Sequence, residues 1–211
     1  MPSLYNRIQG RSLERLAALS DGIFAVAMTL LVLDLHIPSP ADVHSEAQLL
    51  AALGALAPQW ITYGMSFLTL GIFWAGQQTQ LNHIGQGTRD LTWIHLGFLF
   101  TITLMPLSTR LLASFIVYRA ALLVYWLNIL AAGAMLYWSW AHATRAHLLK
   151  PDTPAEVSGS ICRRIRIAQA LYAAGAALCV INTFVSIAVI VLVQLNYAIA
   201  PRAWWRKPSA A

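Results

Sequence analysis

Charged residues are scarce in this sequence. Asp, Glu, Lys and Arg together make up 10% of its 211 residues, whereas hydrophobic residues make up 58%, and the mean hydropathy is +0.61. In a typical soluble domain about 25% of the residues are charged. The composition therefore excludes a soluble protein and leaves no stretch for a separate soluble domain. We expect an all-α integral membrane protein that forms a single transmembrane domain over residues 1–211.

Motifs for catalysis and for metal binding are also missing. The sequence contains no Gly-rich phosphate loop, no nucleophile elbow and no His-Glu-x-x-His motif. Its two cysteines, Cys162 and Cys179, do not have the spacing of metal ligands, so we interpret both as packing residues. His142 and His147 are predicted at the cytoplasmic end of a helix, where contact with the helix dipole is a sufficient explanation. We therefore predict a protein that is not an enzyme and that has no cofactor and no bound metal.

Long apolar runs predict six membrane-spanning helices. A span needs about 20 residues, and Pro38 and Pro40 end the first run. Pro58 and Pro106 predict interruptions within the second and third helices, and a turn near Asn182 divides the last run into two. The predicted helices cover residues 14–37, 49–79, 90–113, 117–142, 163–180 and 183–200.

The basic residues predict the orientation. The formal net charge is +6, but cytoplasmic Lys and Arg explain this charge in a membrane protein, so we expect no nucleic-acid partner. With six spans and a cytoplasmic N-terminus, all 14 Lys and Arg residues except Arg110 and Arg119 fall on the cytoplasmic side. This distribution predicts a multi-pass protein of the cell membrane with both termini in the cytoplasm.

The first predicted helix has an unusual distribution of polar groups. Arg15, Ser20 and Asp21 lie near its start, Thr29 is the only polar residue of residues 22–33, and Asp34 follows. Ionisable groups in a membrane helix usually face the interior of a bundle or a water-filled path. Four apolar residues recur at spacings that place them on one line of the helix: Val26, Leu30, Leu33 and Ile37. The pattern is typical of either a packed bundle helix or a pore-lining helix with an apolar constriction.

The same segment resembles a known family. Arg15 followed by Leu19-Ser20-Asp21 is similar to the Arg-x-x-x-Phe-Ser-Asp signature of the transmembrane protein 175 family of potassium channels, with Leu19 in place of Phe. The resemblance implies six helices per subunit and a symmetric oligomer, a tetramer by analogy, whose pore is lined by helix 1. The chain has one copy of the signature, so a central pore would require several copies of the chain.

The resemblance also implies roles for single residues of helix 1. Val26 would form the constriction, Thr29 the adjacent hydroxyl, and Leu30 and Leu33 further hydrophobic rings. An apolar ring gates by dewetting. Other members have Ile or Leu where Val26 stands, so the ring here would be slightly wider. The alternative is that this stripe only packs against neighbouring helices.

A polar network is predicted at the start of helix 1. A carboxylate at membrane depth needs hydrogen-bond donors, or it becomes protonated. In the family, helix 2 carries Trp-x-x-His and helix 3 an Asn; here Gln77 stands in place of the His and His95 in place of the Asn. The alternative is that these side chains hold helices together and never contact an ion. The predicted network consists of Arg15, Ser20, Asp21, Trp74, Gln77, Trp93 and His95.

A second acidic group lies at the other end of helix 1. Asp34 and the loop residues Asp42 and Glu46 would be repeated around the axis of an oligomer, where they would raise the local concentration of cations. The alternative is an ordinary solvated loop.

Together, these features predict a potassium-selective leak channel. Its partners would be potassium ions, which pass through the pore, the lipid bilayer and other copies of the chain. Two alternatives stay open: a small proton- or cation-coupled transporter that uses Asp21 and His95, and a membrane scaffold that conducts nothing. Carboxylates deep in the membrane are few beyond Asp21 and Asp34, which counts against the transporter.

Overall fold

The computed structural model describes residues 12–199. Within this range the regular structure is helical, apart from one isolated bridge between Ile84 and Leu149, which confirms the predicted all-α class. Two short 3-10 helices cover Pro40–Asp42 and Leu178–Val180. The α-helices are α1 (Leu13–Leu33), α2 (Glu46–Ala55), α3 (Ala57–His83), α4 (Arg89–Thr103), α5 (Met105–Ser114), α6 (Arg119–Arg145), α7 (Ala155–Ala177) and α8 (Thr183–Ile199).

Helix α1 has a defined cap at each end. The Ser12 hydroxyl accepts a hydrogen bond from the Arg15 backbone N–H, and Asp34 is the C-cap. The helix therefore ends at Leu33 rather than at the predicted residue 37, and Ile37 is not on the helical line. Pro38 disfavours helical backbone at Ile37, the residue before it, so the helix is not expected to reach its predicted end.

Each of the predicted helices 49–79 and 90–113 is interrupted near a proline. Leu56 separates α2 from α3, and Leu104 separates α4 from α5. Pro58 and Pro106 lie in the first turn of α3 and α5. A proline is tolerated at that position because the N–H that it lacks would have no helical partner there.

Helix α7 begins at Ala155, well before the predicted residue 163. Its first turns contain Ser158, Gly159 and Ser160, residues with low intrinsic helix propensity. Tertiary contacts stabilise it: the Trp140 indole N–H donates to the Ser158 carbonyl (3.3 Å). The low intrinsic helix propensity of the stretch is overridden by this packing.

The helices form one bundle. Helix α1 packs against α3, α4 and α5; α6 packs against α4, α5 and α7; and α8 packs against α3 and α7. The rings of Phe24, Phe73 and Phe98 meet in the core, with centroids 6.0 and 6.2 Å apart. A smaller apolar cluster surrounds Trp140 at one end of the bundle. There the loops before α4 and after α6 pair through the Gly85 N–H to Leu148 carbonyl bond (2.8 Å).

Three helical stretches within residues 12–199 are long and apolar enough to cross a membrane. They are Leu13–Leu33, Arg89–Ser114 and Arg119–Arg145. Helix α8 is apolar but shorter. Many large apolar side chains on the outside of the bundle are exposed, which is the distribution expected of a protein whose surface contacts lipid or other subunits.

Candidate functional site

Helix α1 has two distinct faces. Its buried residues recur every three or four positions and so form one stripe facing the bundle: Leu16, Ser20, Phe24, Ala27 and Leu31. Val26, Leu30 and Leu33 are 56%, 43% and 75% exposed. The residues predicted to line a pore therefore lie on the face of α1 that the described part of the chain leaves uncovered.

Thr29 is exposed on α1 together with Val26 and Leu30. Its hydroxyl lies 3.0 Å from the Ala25 carbonyl and 2.9 Å from the Val26 carbonyl, to which it donates. Because the hydroxyl proton is used within the helix, the oxygen keeps its acceptor capacity. Thr29 can therefore present an acceptor oxygen to a cation. Its role in conduction stays a prediction.

A shallow apolar groove of about 400 Å³ runs along the exposed face of α1. The groove is open at Gly22, where an added Cβ would meet nothing within 4 Å. Among residues 12–199, no side chain therefore covers the floor of the groove at this point. The lining residues are Ala18, Leu19, Gly22, Ile23, Val26, Ala27, Leu30 and Thr103.

Asp21 is held by two donors from α3. The Trp74 indole N–H donates to Asp21 Oδ1 (2.8 Å), and the Gln78 amide donates to the same oxygen (2.7 Å). Trp74 was among the predicted donors, but Gln78 was missed. The signal was available, because residues four apart on a helix share a face. Asp21 is exposed within its own chain, and the two bonds attach its carboxylate to α3.

Ser20 and His95 meet inside the bundle. Ser20 Oγ lies 3.0 Å from His95 Nε2 and donates to the Leu16 carbonyl (2.8 Å). The Gln77 amide nitrogen lies 3.0 Å from the same ring nitrogen. The three side chains are buried and join α1, α3 and α4. Of the two residues predicted as possible partners of Asp21, His95 thus contacts Ser20 and Gln77 contacts His95.

Two members of the predicted network lie apart from these contacts. Trp93 is more than half exposed on the surface of α4. Arg15 is exposed in the first turn of α1, where its backbone N–H is capped by Ser12. The structure thus brings together Ser20, Gln77 and His95 in one group and Asp21 and Trp74 in another. The functional roles predicted for these residues stay untested.

At the opposite end of α1, Asp34 has a cationic neighbour. Arg110 Nε of α5 lies 3.8 Å from Asp34 Oδ1. Asp42 and Glu46 are exposed, in the first 3-10 helix and at the start of α2. The sequence prediction treated Asp34 as part of an acidic group and did not pair it with Arg110.

A second buried polar cluster was not predicted at all. Tyr125 Oη lies 3.3 Å from Ser66 Oγ and 3.1 Å from Thr69 Oγ1. Thr109 donates to Ser66 (2.7 Å), and the Gln194 amide donates to Thr69 (2.7 Å). The cluster joins α3, α5, α6 and α8. One signal was present, because Ser66 and Thr69 lie on one face within an apolar stretch of α3.

Asn128 of α6 bridges the interruption between α4 and α5. With its amide oriented so that both ends find partners, Asn128 donates to the Thr101 carbonyl (3.0 Å) and accepts from the Met105 N–H (3.2 Å). These two backbone groups are four residues apart and would bond to each other in a continuous helix. The side chain therefore satisfies backbone groups that lipid could not satisfy.

Comparison with known proteins identifies the family. The model of the family described as "Endosomal/lysosomal potassium channel TMEM175" matches residues 15–106. A potassium channel of Streptomyces collinus is 35% identical over 179 residues, which cover 82% of each chain. The mouse endosomal/lysosomal proton channel TMEM175 is 34% identical over 109 residues, which cover 49% of this chain and 22% of the mouse protein.

Comparison of the fold with solved structures identifies the same family. The crystal structure of a lysosomal potassium-selective channel TMEM175 homolog from Chamaesiphon minutus superposes with a TM-score of 0.78 at 25% identity. The match covers 90% of this chain and 98% of that one. The resemblance noted in the first helix is thus confirmed over most of the chain, and the chain belongs to the TMEM175 family.

Proposed function

We propose that this protein is a potassium-selective leak channel whose pore is lined by α1. The observation that supports the proposal most directly is the uncovered apolar face of α1, which carries Val26, Leu30 and Leu33 opposite a stripe that is packed and hydrogen-bonded to the bundle. The relatives named as potassium channels agree with it. Passive conduction requires no reaction, so we assign none to the chain.

The pore would be formed by several copies of the chain. One chain contributes a single α1, and one helix cannot enclose a path. We therefore propose a symmetric homotetramer in the cell membrane, with six spans per subunit and both termini in the cytoplasm. In addition to the three long apolar stretches, α3, α7 and α8 would supply the remaining spans.

In this assembly Val26 would form the narrowest ring. Side chains of Val offer no polar group to a dehydrated cation, so the ring would exclude water unless it is wide enough to stay wetted. Thr29 lies one turn towards Asp34 and would supply acceptor oxygens next to the ring. Leu30 and Leu33 would extend the apolar lining towards the outer mouth.

Protons are the second candidate ion, because the mouse relative is named a proton channel. A coupled transporter is less well supported. Asp21 is held by Trp74 and Gln78, and His95 is buried between Ser20 and Gln77. Both titratable groups are thus engaged in contacts between helices of one chain.

The proposal is tested by flux into liposomes that contain the purified protein. Potassium, sodium and proton gradients are compared for the wild type, for Val26→Asn and for the matched control Val32→Asn. Val32 is also an exposed valine of α1, on another side of the helix. We expect potassium flux to exceed sodium flux, and we expect Val26→Asn to change it while Val32→Asn does not.

Three other results would revise the proposal. Absence of flux in every gradient, from protein shown to be a folded oligomer, would contradict the channel and favour a scaffold. Slow, saturable flux that requires a second gradient would favour a transporter. Equal effects of Val26→Asn and Val32→Asn would place the constriction elsewhere.

A further inference from the structure

The proposed function assigns no role to the ion pair between Asp34 and Arg110 at the outer end of α1. Within residues 12–199 it is the only pair in which an Asp or Glu side chain lies within 4.0 Å of a basic side chain. The side chain of Asp34 is 28% exposed and that of Arg110 is 63% exposed. Neither side chain is fully covered by the described residues of its own chain.

The position of Asp34 at the C-terminal end of α1 favours a cationic neighbour. Asp34 is the C-cap of α1 and directly follows Leu33. The C-terminal end of a helix carries partial negative charge, so a carboxylate there is disfavoured unless a positive group lies close by. Helix α5 packs against α1 and supplies Arg110.

The charge of Arg110 changes what Asp34 does to a passing ion. A carboxylate alone attracts cations and raises their concentration near it. A guanidinium 3.8 Å away turns the carboxylate into part of a dipole, whose field decreases with distance more steeply than that of a single charge.

We propose that Arg110 masks Asp34 and thereby limits the rate at which cations enter the outer mouth. The outer mouth of the assembly then presents a ring of ion pairs rather than a ring of free carboxylates. This inference rests on the proposed function and makes Arg110 a determinant of the entry rate. It differs from the expectation that Asp34 acts as a free acidic group, which stays a prediction.

The exposure of the ion pair distinguishes an electrostatic role of Arg110 in conduction from a role in folding. Exposed ion pairs contribute little to folding stability, because water and salt screen them and the side chains lose entropy on pairing. Removal of the Arg110 charge should therefore leave the fold and the oligomer intact. A change in conduction without a change in thermal stability would identify the electrostatic effect.

The test measures potassium current carried from the outer side through the reconstituted wild type and Arg110→Gln. All variants are recorded at the same pH, so the contact of the His36 ring with the Asp34 backbone carbonyl (2.9 Å) is common to them. The Debye length is about 30 Å in 10 mM salt and about 3 Å in 1 M salt. We expect Arg110→Gln to raise the current about twofold or more in 10 mM salt and to leave it unchanged in 1 M salt.

Two further variants make the result specific. Asp34→Asn combined with Arg110→Gln should carry a current close to that of the wild type in 10 mM salt, because neither charge remains and the increase seen with Arg110→Gln alone depends on the unmasked carboxylate. Arg119→Gln is the matched control, since Arg119 is the other basic residue predicted on the outer side and is exposed at the start of α6. We expect this control to behave like the wild type.

The outcomes distinguish the inference from the proposed function. The inference alone would be overturned if Arg110→Gln left the current unchanged in low salt. It would also be overturned if the double variant carried as much current as Arg110→Gln, since the increase would then not depend on the carboxylate. An equal effect in both salts accompanied by a lower melting temperature would show a structural role and overturn it as well. Absence of wild-type current would contradict the proposed function and the inference together.

Discussion

The two faces of α1 show how one helix serves two environments. The inner face combines apolar residues with Ser20, which is fully buried and lies 3.0 Å from His95 Nε2. The outer face is apolar and exposed at Val26, Leu30 and Leu33. In a soluble protein the exposed face would be the polar one. Here the buried polar bond fixes the rotation of the helix, and this rotation determines which apolar residues point outward.

The comparison predicts that the two faces respond differently to truncation, with the largest effect at Phe24. Phe24→Ala removes a ring packed against Phe98 and should lower the free energy of unfolding by about 3 kcal/mol. Leu30→Ala on the exposed face should change it by less than about 0.5 kcal/mol. Denaturation of both variants in detergent measures the difference. Equal losses would show that the outer face is also packed within the subunit.

An intermediate effect is expected at the polar contact of the inner face. His95→Leu leaves the Gln77 amide buried without this partner and should cost about 1–3 kcal/mol. The control is Trp93→Leu on the same helix, because Trp93 is exposed and should tolerate the change. Thermal unfolding compares the two. If Trp93→Leu were the more destabilising variant, the assignment of His95 to the packing of α1 would be wrong.

At Val26 we expect the smallest effect on stability, together with an effect on conduction. Val26→Leu adds one methylene to an exposed side chain and should change the unfolding free energy by less than about 0.5 kcal/mol. If the ring of Val26 is the constriction, the larger side chain should narrow it and lower the potassium conductance. Single-channel recording in symmetric potassium measures this. Unchanged conductance and selectivity would count against a constriction at Val26.

Part of this organisation could be read from the sequence. The low charge content predicted an all-α membrane protein, and Arg15 with Leu19-Ser20-Asp21 identified the family, because a signature is a local pattern. The contact between Trp74 and Asp21 joins distant positions, but the resemblance pointed to it, because the family carries a Trp at this place in helix 2. The roles of the predicted pore residues remain predictions that the flux experiments address.

Other contacts could not be predicted, because they join positions far apart in the chain. Thr69 bonds to Gln194, and Arg110 approaches Asp34. A single Gln or Arg in or beside an apolar run has no pattern that identifies its partner. The boundaries of the helices also differed where packing overrode local propensity, as at the Ser-Gly-Ser stretch at the start of α7.

The sequence by itself determined that the chain lies in a membrane and which residues of α1 are polar. Its apolar runs can be stable only where backbone groups are satisfied within helices and side chains avoid water. The tertiary structure alone decided which face of α1 is covered, that Asn128 replaces the helical bond lost at Leu104, and that Asp34 is paired. Each of these depends on the distance and orientation between helices, which packing sets and a linear pattern does not record.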